Sequence, residues 1–242
     1  MRVIQNSRPR VAIAENVKAL TFKRCADEFS AVLSSLEEAG YNNYWKMLNT
    51  TDFNIPQNRE RVFVVSIRKD IDDGKFTFPI GEGLHYRLKD FLEDNVGEKY
   101  YLSEKMIKCI ASNGEKWTGN NNKSLINKSI ASTINTREGS RRCDASNFIA
   151  PDLEGEDIDL KPIIAKRKEF KKLNNTNDKT HLRIRRLTPK ECFRLQGFDD
   201  KDVESVIGGG ISDTQAYKQA GNSISVPVIQ AILKNVLPYI NN

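Results

Sequence analysis

The chain has 242 residues, 38% of them hydrophobic, which is enough to bury the core of one large domain or two modest ones. No apolar run approaches the roughly 20 residues that cross a bilayer, and the N-terminus lacks the apolar stretch of a signal peptide, so these features exclude a membrane or secreted protein and predict a cytoplasmic location. The net charge of +6 is local, because residues 161–186 contain ten basic and two acidic side chains and the rest of the chain is slightly acidic.

The first part of the chain, residues 1–82, shows the order strand, helix, strand. Residues 11–14 are a short apolar run that predicts a buried strand ending just before Glu15. An amphipathic helix follows and is expected to stop at Gly40. The second apolar run, residues 62–67, predicts another strand, and no element is predicted between it and Gly40. The apolar side chains that recur at helical spacing are Phe29, Val32, Leu33 and Leu36. This order predicts an α/β layer.

The middle of the chain, residues 83–185, is predicted to form a separate, loop-rich domain. Between about residues 110 and 180 the sequence is rich in Asn, Ser, Lys and Gly and has few apolar runs. Its basic stretch, residues 161–186, suits a polyanion because each phosphate that is neutralised releases counterions. A solvated, lysine-rich loop has the same composition, so charge alone does not decide between the two.

Residues 186–242 are predicted to form a capped helix and terminal helices that return to the α/β portion formed by residues 1–82. Thr188 and Glu191 have the spacing of a capping box, with a proline at the first helical position and Gly197 as the stop. A last helix is predicted to begin with Ser225 as its cap. Its apolar side chains are expected to form one continuous stripe that packs on another surface: Ile229, Ile232, Leu233, Val236, Leu237 and Ile240.

The cysteines indicate neither a zinc site nor a disulfide framework. The four of them show no Cys-x-x-Cys pair, and the chain has only two histidines. No metal site is therefore expected, and each cysteine is predicted to be a small apolar residue. They are Cys25, Cys109, Cys143 and Cys192.

Four segments resemble, in order and spacing, motifs of the cytosine-5 DNA methyltransferases. They are Ala-Glu-Asn-Val at 14–17, Pro-Gln-Asn-Arg-Glu-Arg-Val-Phe at 56–63, Arg-Leu-Thr-Pro-Lys-Glu-Cys-Phe-Arg-Leu-Gln-Gly-Phe at 186–198 and Gln-Ala-Gly-Asn-Ser at 219–223. The second and third are long and specific, and the resemblance covers essentially the whole chain. It implies an α/β fold: a partial Rossmann-like methyltransferase domain with an inserted, loop-rich and mostly β target-recognition domain.

The resemblance implies catalytic roles for Glu15, Arg59 and Arg61. In the family, the glutamate contacts the ring nitrogen and the amino group of the flipped cytosine, and a carboxyl suits this because it accepts from the amine and, when protonated, donates to the ring nitrogen. The two arginines stand two residues apart at the entry to a strand, so they are expected to point to one face. Arg61 is expected to contact the cytosine carbonyl oxygen, and Arg59 to hold the site together. The alternatives are surface ion pairing for the arginines and loop capping for Glu15.

The resemblance also implies residues that bind the cofactor and the DNA. Asn222 and Ser223 are expected to help close the S-adenosylmethionine pocket. In the family, a threonine followed by an aliphatic residue marks the recognition loops, as Thr133 and Ile134 do here. The residues expected to contact double-stranded DNA are Thr133, Arg137, Arg141, Arg142 and Arg186.

The family's nucleophile and its main cofactor loop are not found in this sequence. The chemistry needs a Pro-Cys dipeptide whose thiolate adds to C6 of cytosine, and none of the four cysteines follows a proline. The glycines at 81–83 and 208–210 lack the setting of a cofactor loop and are predicted to be ordinary loops. The chain is therefore expected to need an N-terminal half or subunit for activity, and that partner would cover an exposed sheet edge and the apolar stripe of the last helix.

The function expected from these features is that of a C-terminal portion or subunit of a DNA (cytosine-5-)-methyltransferase, acting in restriction-modification or in phage or host DNA protection. Two alternatives stay open at the level of sequence. One is a DNA-binding remnant that recognises a site without modifying it. The other is a fragment of an RNA cytosine methyltransferase, which shares similar motifs, although the basic recognition segment favours DNA.

Overall fold

A computed structural model describes residues 1–113, 125–138, 147–165 and 182–241. It divides the chain into two compact units, one formed by Met1–His85 with Ile224–Asn242 and the other by Tyr86–Ser223. The α-helices include α1 (Arg2–Ser7), α2 (Ala26–Glu38), α3 (Glu104–Asn113), α4 (Pro189–Arg194), α5 (Asp200–Gly208), α6 (Asp213–Asn222) and α7 (Val226–Asn241). The strands are β1 (Val11–Val17), β2 (Tyr41–Asn49), β3 (Gln57–Asn58), β4 (Glu60–Arg68), β5 (Leu125–Ile126), β6 (Ala131–Ser132), β7 (Phe148–Ile149), β8 (Ile158–Asp159) and β9 (Arg185–Arg186).

The first unit is built on a three-stranded antiparallel sheet in the order β1-β4-β2. The central strand β4 alternates its buried side chains between two faces, as a strand covered on both sides must. Val62 and Val64 pack with α2, whereas Phe63, Val65 and Ile67 pack with α7. Helices therefore cover both faces of the sheet, which confirms the predicted α/β layer.

Strand β2 was not predicted, because its apolar residues do not alternate at the spacing of two that marks a strand. Tyr41 and Leu48 are buried, but Trp45 is half exposed and the residues between them are largely polar. Helix α2 does end where predicted, since Gly40 follows it with φ +92°, a conformation that glycine adopts without steric cost.

The apolar side chains of helix α7 do not form one packed stripe, because some face the sheet and others face outward. Ile232 and Val236 are fully buried against the sheet. The prediction of one packed stripe is wrong for three of its six side chains, since Leu233, Leu237 and Ile240 are 39%, 48% and 44% exposed. These three side chains form an outward apolar face.

One stretch among the described residues, Asp213–Ile240, is long and apolar enough by composition to cross a membrane. It contains two helices, with a break between Asn222 and Val226. A core helix of a globular protein meets the same criterion, and α7 packs one face on the sheet.

The second unit is built from helices and from short strands, each of which has two residues. Strand β5 pairs with β8, and β7 pairs with β9. The predicted capped helix is confirmed as α4, because the Thr188 hydroxyl accepts from the Glu191 backbone N–H and the Glu191 carboxylate accepts from the Thr188 N–H. Gly197 follows at φ +85°, as predicted for the stop.

The cysteines differ from the prediction at one position. Cys109, on α3, is disulfide-bonded, whereas the prediction treated every cysteine as a reduced apolar side chain. Cys25 and Cys192 are free thiols, as predicted. The widely spaced cysteines gave no pairing signal, because the folded chain rather than the sequence spacing brings half-cystines together.

Candidate functional site

Glu15 and Arg61 form an ion pair, with 3.0 Å between Glu15 Oε1 and Arg61 Nε. Glu15 lies within β1, not beyond its end as predicted. In the antiparallel register Glu15 faces Phe63 and Val17 faces Arg61, so the acid and the guanidinium are diagonal neighbours on one face of the β1-β4 pair. Both side chains are more than four-fifths buried, and the surface ion pairing considered for Arg61 is therefore not its setting.

Arg59 is held by the loop that follows β2. Its backbone N–H donates to Asn49 Oδ1 at 3.0 Å, and its carbonyl accepts from the Thr50 N–H at 3.2 Å. The side chain is only 3% exposed. The pKa of Arg59 is lowered to about 10, because burial and then the positive charge of Arg61 lower it by more than Glu15 raises it.

Arg61 is less buried than Arg59 but lies beside the same carboxylate. Burial lowers its pKa, and the Coulomb attraction and hydrogen bond of Glu15 raise it. An arginine with a lowered pKa of this kind still carries its charge near neutral pH. Two cationic forks are therefore desolvated beside one carboxylate, an arrangement that strengthens any hydrogen bond they donate.

The three predicted catalytic side chains meet at one small cavity. Glu15, Arg59 and Arg61 line it together with Thr50 and Ser225, and apolar walls complete it. Glu15 provides an acceptor there, while the guanidinium groups provide donors in a fixed plane. The lining therefore presents the acceptor and the donors that a group with both an amine and a carbonyl requires.

Ser225 is the residue of this site that the sequence reasoning misplaced. It was predicted to cap the last helix, but only its backbone carbonyl takes part, accepting from the Ile229 N–H. Its hydroxyl is buried at the cavity and has no hydrogen-bond partner among the described residues. The signal was present as a serine directly before a proline-containing first turn, which fits a cap and a cavity wall equally well.

The predicted cofactor residues lie at the end of α6. Asn222 is exposed, and Ser223 is half buried with its hydroxyl donating to the Ala220 carbonyl at 2.8 Å. An exposed amide that both donates and accepts fits the hydroxyl and carboxylate groups of a nucleoside bearing an amino acid.

The predicted DNA-binding residues differ in how far their side chains are exposed. Thr133 is half buried beside a fully buried Ile134, whereas Arg137 is exposed. Arg186 is half buried in β9, which pairs with β7. Arg141 and Arg142 lie outside the described residues.

Comparison with known proteins gives consistent matches. The sequence model of the family described as C-5 cytosine-specific DNA methylase matches residues 1–237. The chain is 34% identical to the type II methyltransferase M2.ScrFI of Lactococcus lactis subsp. cremoris, over 97% of this chain and 56% of that protein. It is 30% identical to the orphan methyltransferase M.SPRI of Bacillus phage SPR, over 100% of this chain and 76% of that protein. The chain thus spans about half the length of M2.ScrFI.

Solved structures show the same fold. A Spodoptera frugiperda DNMT2 mutant matches with a TM-score of 0.66 and 19% identity, over 94% of this chain and 66% of that one. The S. pombe Dnmt2 methyltransferase matches with a TM-score of 0.64 and 20% identity, over 95% of this chain and 68% of that one. These likenesses extend over nearly the whole chain.

Proposed function

The chain belongs to the C-5 cytosine-specific DNA methylase family, and on that premise we propose that it supplies the target-base and DNA-recognition parts of an enzyme that methylates C5 of cytosine in duplex DNA. The observation that carries the proposal is the 3.0 Å pair of Glu15 and Arg61 at one cavity with Arg59. The methyl group comes from S-adenosylmethionine, as the family implies.

The roles of the three side chains follow from their chemistry. A cytosine inside a duplex is out of reach, so the base is swung out of the stack to meet this cavity. Glu15 accepts from the exocyclic amine and, when protonated, donates to the ring nitrogen, which draws electrons from the ring and favours addition at C6. Arg61 donates to the carbonyl oxygen, and the desolvated Arg59 adds positive potential beside it.

Asn222 and Ser223 are proposed to hold part of the cofactor. Their amide and hydroxyl groups suit its polar substituents, and when bound the cofactor supplies the electrophilic methyl group. The role of the chain's own residues there is to bind and orient.

The nucleophile is proposed to come from another segment, because none of the four cysteines here follows a proline. Cys192 is fully buried, and burial raises the pKa of its thiol well above the ordinary value, so it stays protonated and inert. We propose a segment with a Pro-Cys dipeptide and a glycine-rich loop, on whichever polypeptide these occur, without which the chain does not methylate DNA. Two surfaces of the first unit suit its docking: the outer edge of β1, which pairs only with β4 among the described strands, and the outward apolar face of Leu233, Leu237 and Ile240.

Duplex DNA is the proposed partner, and the cytoplasm the proposed location. Arg137, which is exposed, and Arg186 are proposed to contact DNA with Thr133, and so are Arg141 and Arg142. The role proposed is restriction-modification or protection of phage or host DNA, in keeping with the names of the relatives.

Co-expression tests the proposal in a host that lacks cytosine-5 methylation. The chain is expressed with a segment that carries the Pro-Cys dipeptide and the glycine-rich loop, and bisulfite sequencing of host DNA is the readout. Methylated cytosines confined to one short sequence are expected with both parts and none with either alone. Methylated cytosine in RNA only, or site-specific DNA binding without methylation, would replace the proposal with an RNA enzyme or a binding remnant.

A further inference from the structure

We infer that Gly221 is a positioning residue for the recognition loop, defined as residues 132–138, and that it sets where this loop presents Thr136 and Arg137 to DNA. The inference rests on the proposed function, since it concerns how the chain reads DNA. Gly221 and the loop belong to the same compact unit, Tyr86–Ser223.

Gly221, near the end of α6, lies directly against the backbone of the loop. A Cβ added there would lie 2.5 Å from the Asn135 carbonyl carbon, 2.5 Å from the Thr136 nitrogen and 2.8 Å from the Asn135 carbonyl oxygen. All three atoms belong to the main chain, so no flexible side chain can move aside. A larger residue at position 221 must therefore displace the loop or the helix.

The side chain of Ile134 fixes the loop to the same helix. Ile134 is fully buried in a core cluster that contains Ala216 and Ala220 of α6. These two alanines and Gly221 have little or no side chain, which allows the loop backbone to approach the helix closely. The helix surface therefore determines the position of the loop.

A buried polar group ties the loop down from a second direction. The Glu138 carboxylate accepts from both the backbone N–H and the side-chain amide of Asn147, at 3.1 and 3.0 Å. The Asn147 amide also bonds both ways with Ser132, accepting from its N–H at 2.8 Å and donating to its carbonyl at 3.1 Å. Glu138 and Asn147 are fully buried, so these bonds hold both ends of the loop.

The loop leaves two side chains facing solvent. Thr136 and Arg137 are exposed, while the Arg137 N–H donates to Asn135 Oδ1 at 2.7 Å and the Glu138 N–H to the Asn135 carbonyl at 3.2 Å. The turn is thus preorganised before any DNA arrives, which lowers the entropy lost on binding. A hydroxyl and a guanidinium in fixed positions suit base edges and phosphates.

The test compares Gly221→Ala with Gly208→Ala in the full chain. Gly208 is a matched control, because it is also a helical glycine in the same unit, but a Cβ added there meets nothing within 4 Å. The probe is a mixed-sequence duplex oligonucleotide, and fluorescence anisotropy measures its dissociation constant. We expect Gly221→Ala to weaken binding about tenfold and Gly208→Ala to leave it unchanged. Parent-like affinity of Gly221→Ala would overturn the inference.

A double-mutant cycle separates positioning from general damage. Arg137→Ala is expected to weaken binding in the parent chain but to have little further effect once Gly221→Ala is present, because the loop no longer presents Arg137 correctly. Losses that multiply would mean that position 221 acts independently of the loop, and would also overturn the inference. If Gly221→Ala does not fold, Asn147→Ala releases the same loop from its other side and must show the same non-additivity with Arg137→Ala, or the inference fails.

Hydrogen exchange distinguishes failure of this inference from failure of the proposed function. A parent chain that does not bind duplex DNA would contradict the proposed function. Hydrogen exchange of the loop amides could still be measured in that chain. Gly221→Ala should then still raise exchange of the Glu138 amide by about tenfold or more, with no such change in Gly208→Ala. Unchanged exchange would overturn the positioning role.

Discussion

Arg59 and Arg61 show how two arginines in one motif acquire different settings. Both line the cavity at Glu15, and Arg61 forms an ion pair with that acid at 3.0 Å. Arg59 is fixed through its backbone by Asn49 and Thr50, and is the more buried of the two. We therefore expect Arg61 to act on the base directly and Arg59 to shape the electrostatic potential.

Arg61→Lys tests the need for a planar fork at this position. Lysine keeps the charge but cannot donate along two fixed directions, so methyl transfer by the complemented protein should fall by about 100-fold. Arg68→Lys is the control, because Arg68 lies on the same strand and pairs with the more exposed Asp70. Initial rates of methyl transfer measure both, and equal rates for the two variants would remove the directional role of Arg61.

The motifs singled out three residues that line this cavity, Glu15, Arg59 and Arg61, but they indicated neither their geometry nor the presence of Ser225. The spacing of Arg59 and Arg61 indicated a common face, which the cavity bears out. Glu15 was expected beyond a strand because the apolar run stops at Ala14, yet hydrogen bonding with β4 continues the strand to Val17. Strand pairing depends on a partner far along the sequence, and a local apolar pattern does not report it.

At the scale of elements, α4 depends on a buried ion pair as well as on its cap. Arg185 donates to both carboxylate oxygens of Glu191 at 2.8 Å, and the two side chains are 3% and 0% exposed. The same carboxylate accepts from the backbone N–H groups of Thr188 and Glu93. One side chain therefore satisfies donors from three segments of the second unit.

Glu191→Ala should be strongly destabilising. It leaves the Arg185 charge buried without its partner and removes the cap, so the free energy of unfolding should fall by about 3–5 kcal/mol. Glu204→Ala, which removes an exposed pair with Lys190, should change it by about 0.5 kcal/mol or less. Urea unfolding followed by circular dichroism compares them, and a loss in Glu191→Ala as small as that of the control would contradict this account of α4.

The junction of α4 and α5 predicts a dependence of stability on acid pH. Arg194 donates to both carboxylate oxygens of Asp200 at 2.7 Å, and this bond, with Lys190 nearby, holds the pKa of Asp200 well below its ordinary value. Because the folded pKa is lowered, the stabilisation is complete above the unfolded value of about 3.9 and is lost as pH falls from there towards the folded pKa.

Asp200→Asn tests this sign. The melting temperature of the variant should lie below that of the parent near neutral pH, and the gap should close as pH falls below about 4. Asp202→Asn replaces a neighbouring acid in the same helical turn. Its difference in melting temperature from the parent should change less over that pH range. A gap for Asp200→Asn that stays constant from neutral to acid pH would show that the Arg194 pair contributes nothing.

At the scale of the whole molecule, the sequence indicated the layers but not every element. The β-branched run of β4, the cap of α4 and the stop at Gly40 are local signals, and each was found where predicted. Strand β2 has no local signal, and the α7 stripe divides because the sheet covers only one side of the helix. The units themselves depend on residues far apart in sequence, since Ile224–Asn242 joins Met1–His85.

The central claim is that Glu15 and Arg61 act together on one extruded cytosine. The most direct test is the rate of methyl transfer from labelled S-adenosylmethionine to unmethylated duplex DNA by the chain complemented with a Pro-Cys segment, in the parent, Glu15→Gln and Glu60→Gln. Glu60 is the matched control, because it is adjacent to Arg61 but pairs with Lys18 in an exposed position. We predict 5-methylcytosine as the product, a loss of about 100-fold or more in Glu15→Gln and parent-like rates in Glu60→Gln. Equal rates for the parent and Glu15→Gln, or label found on another base, would contradict the claim.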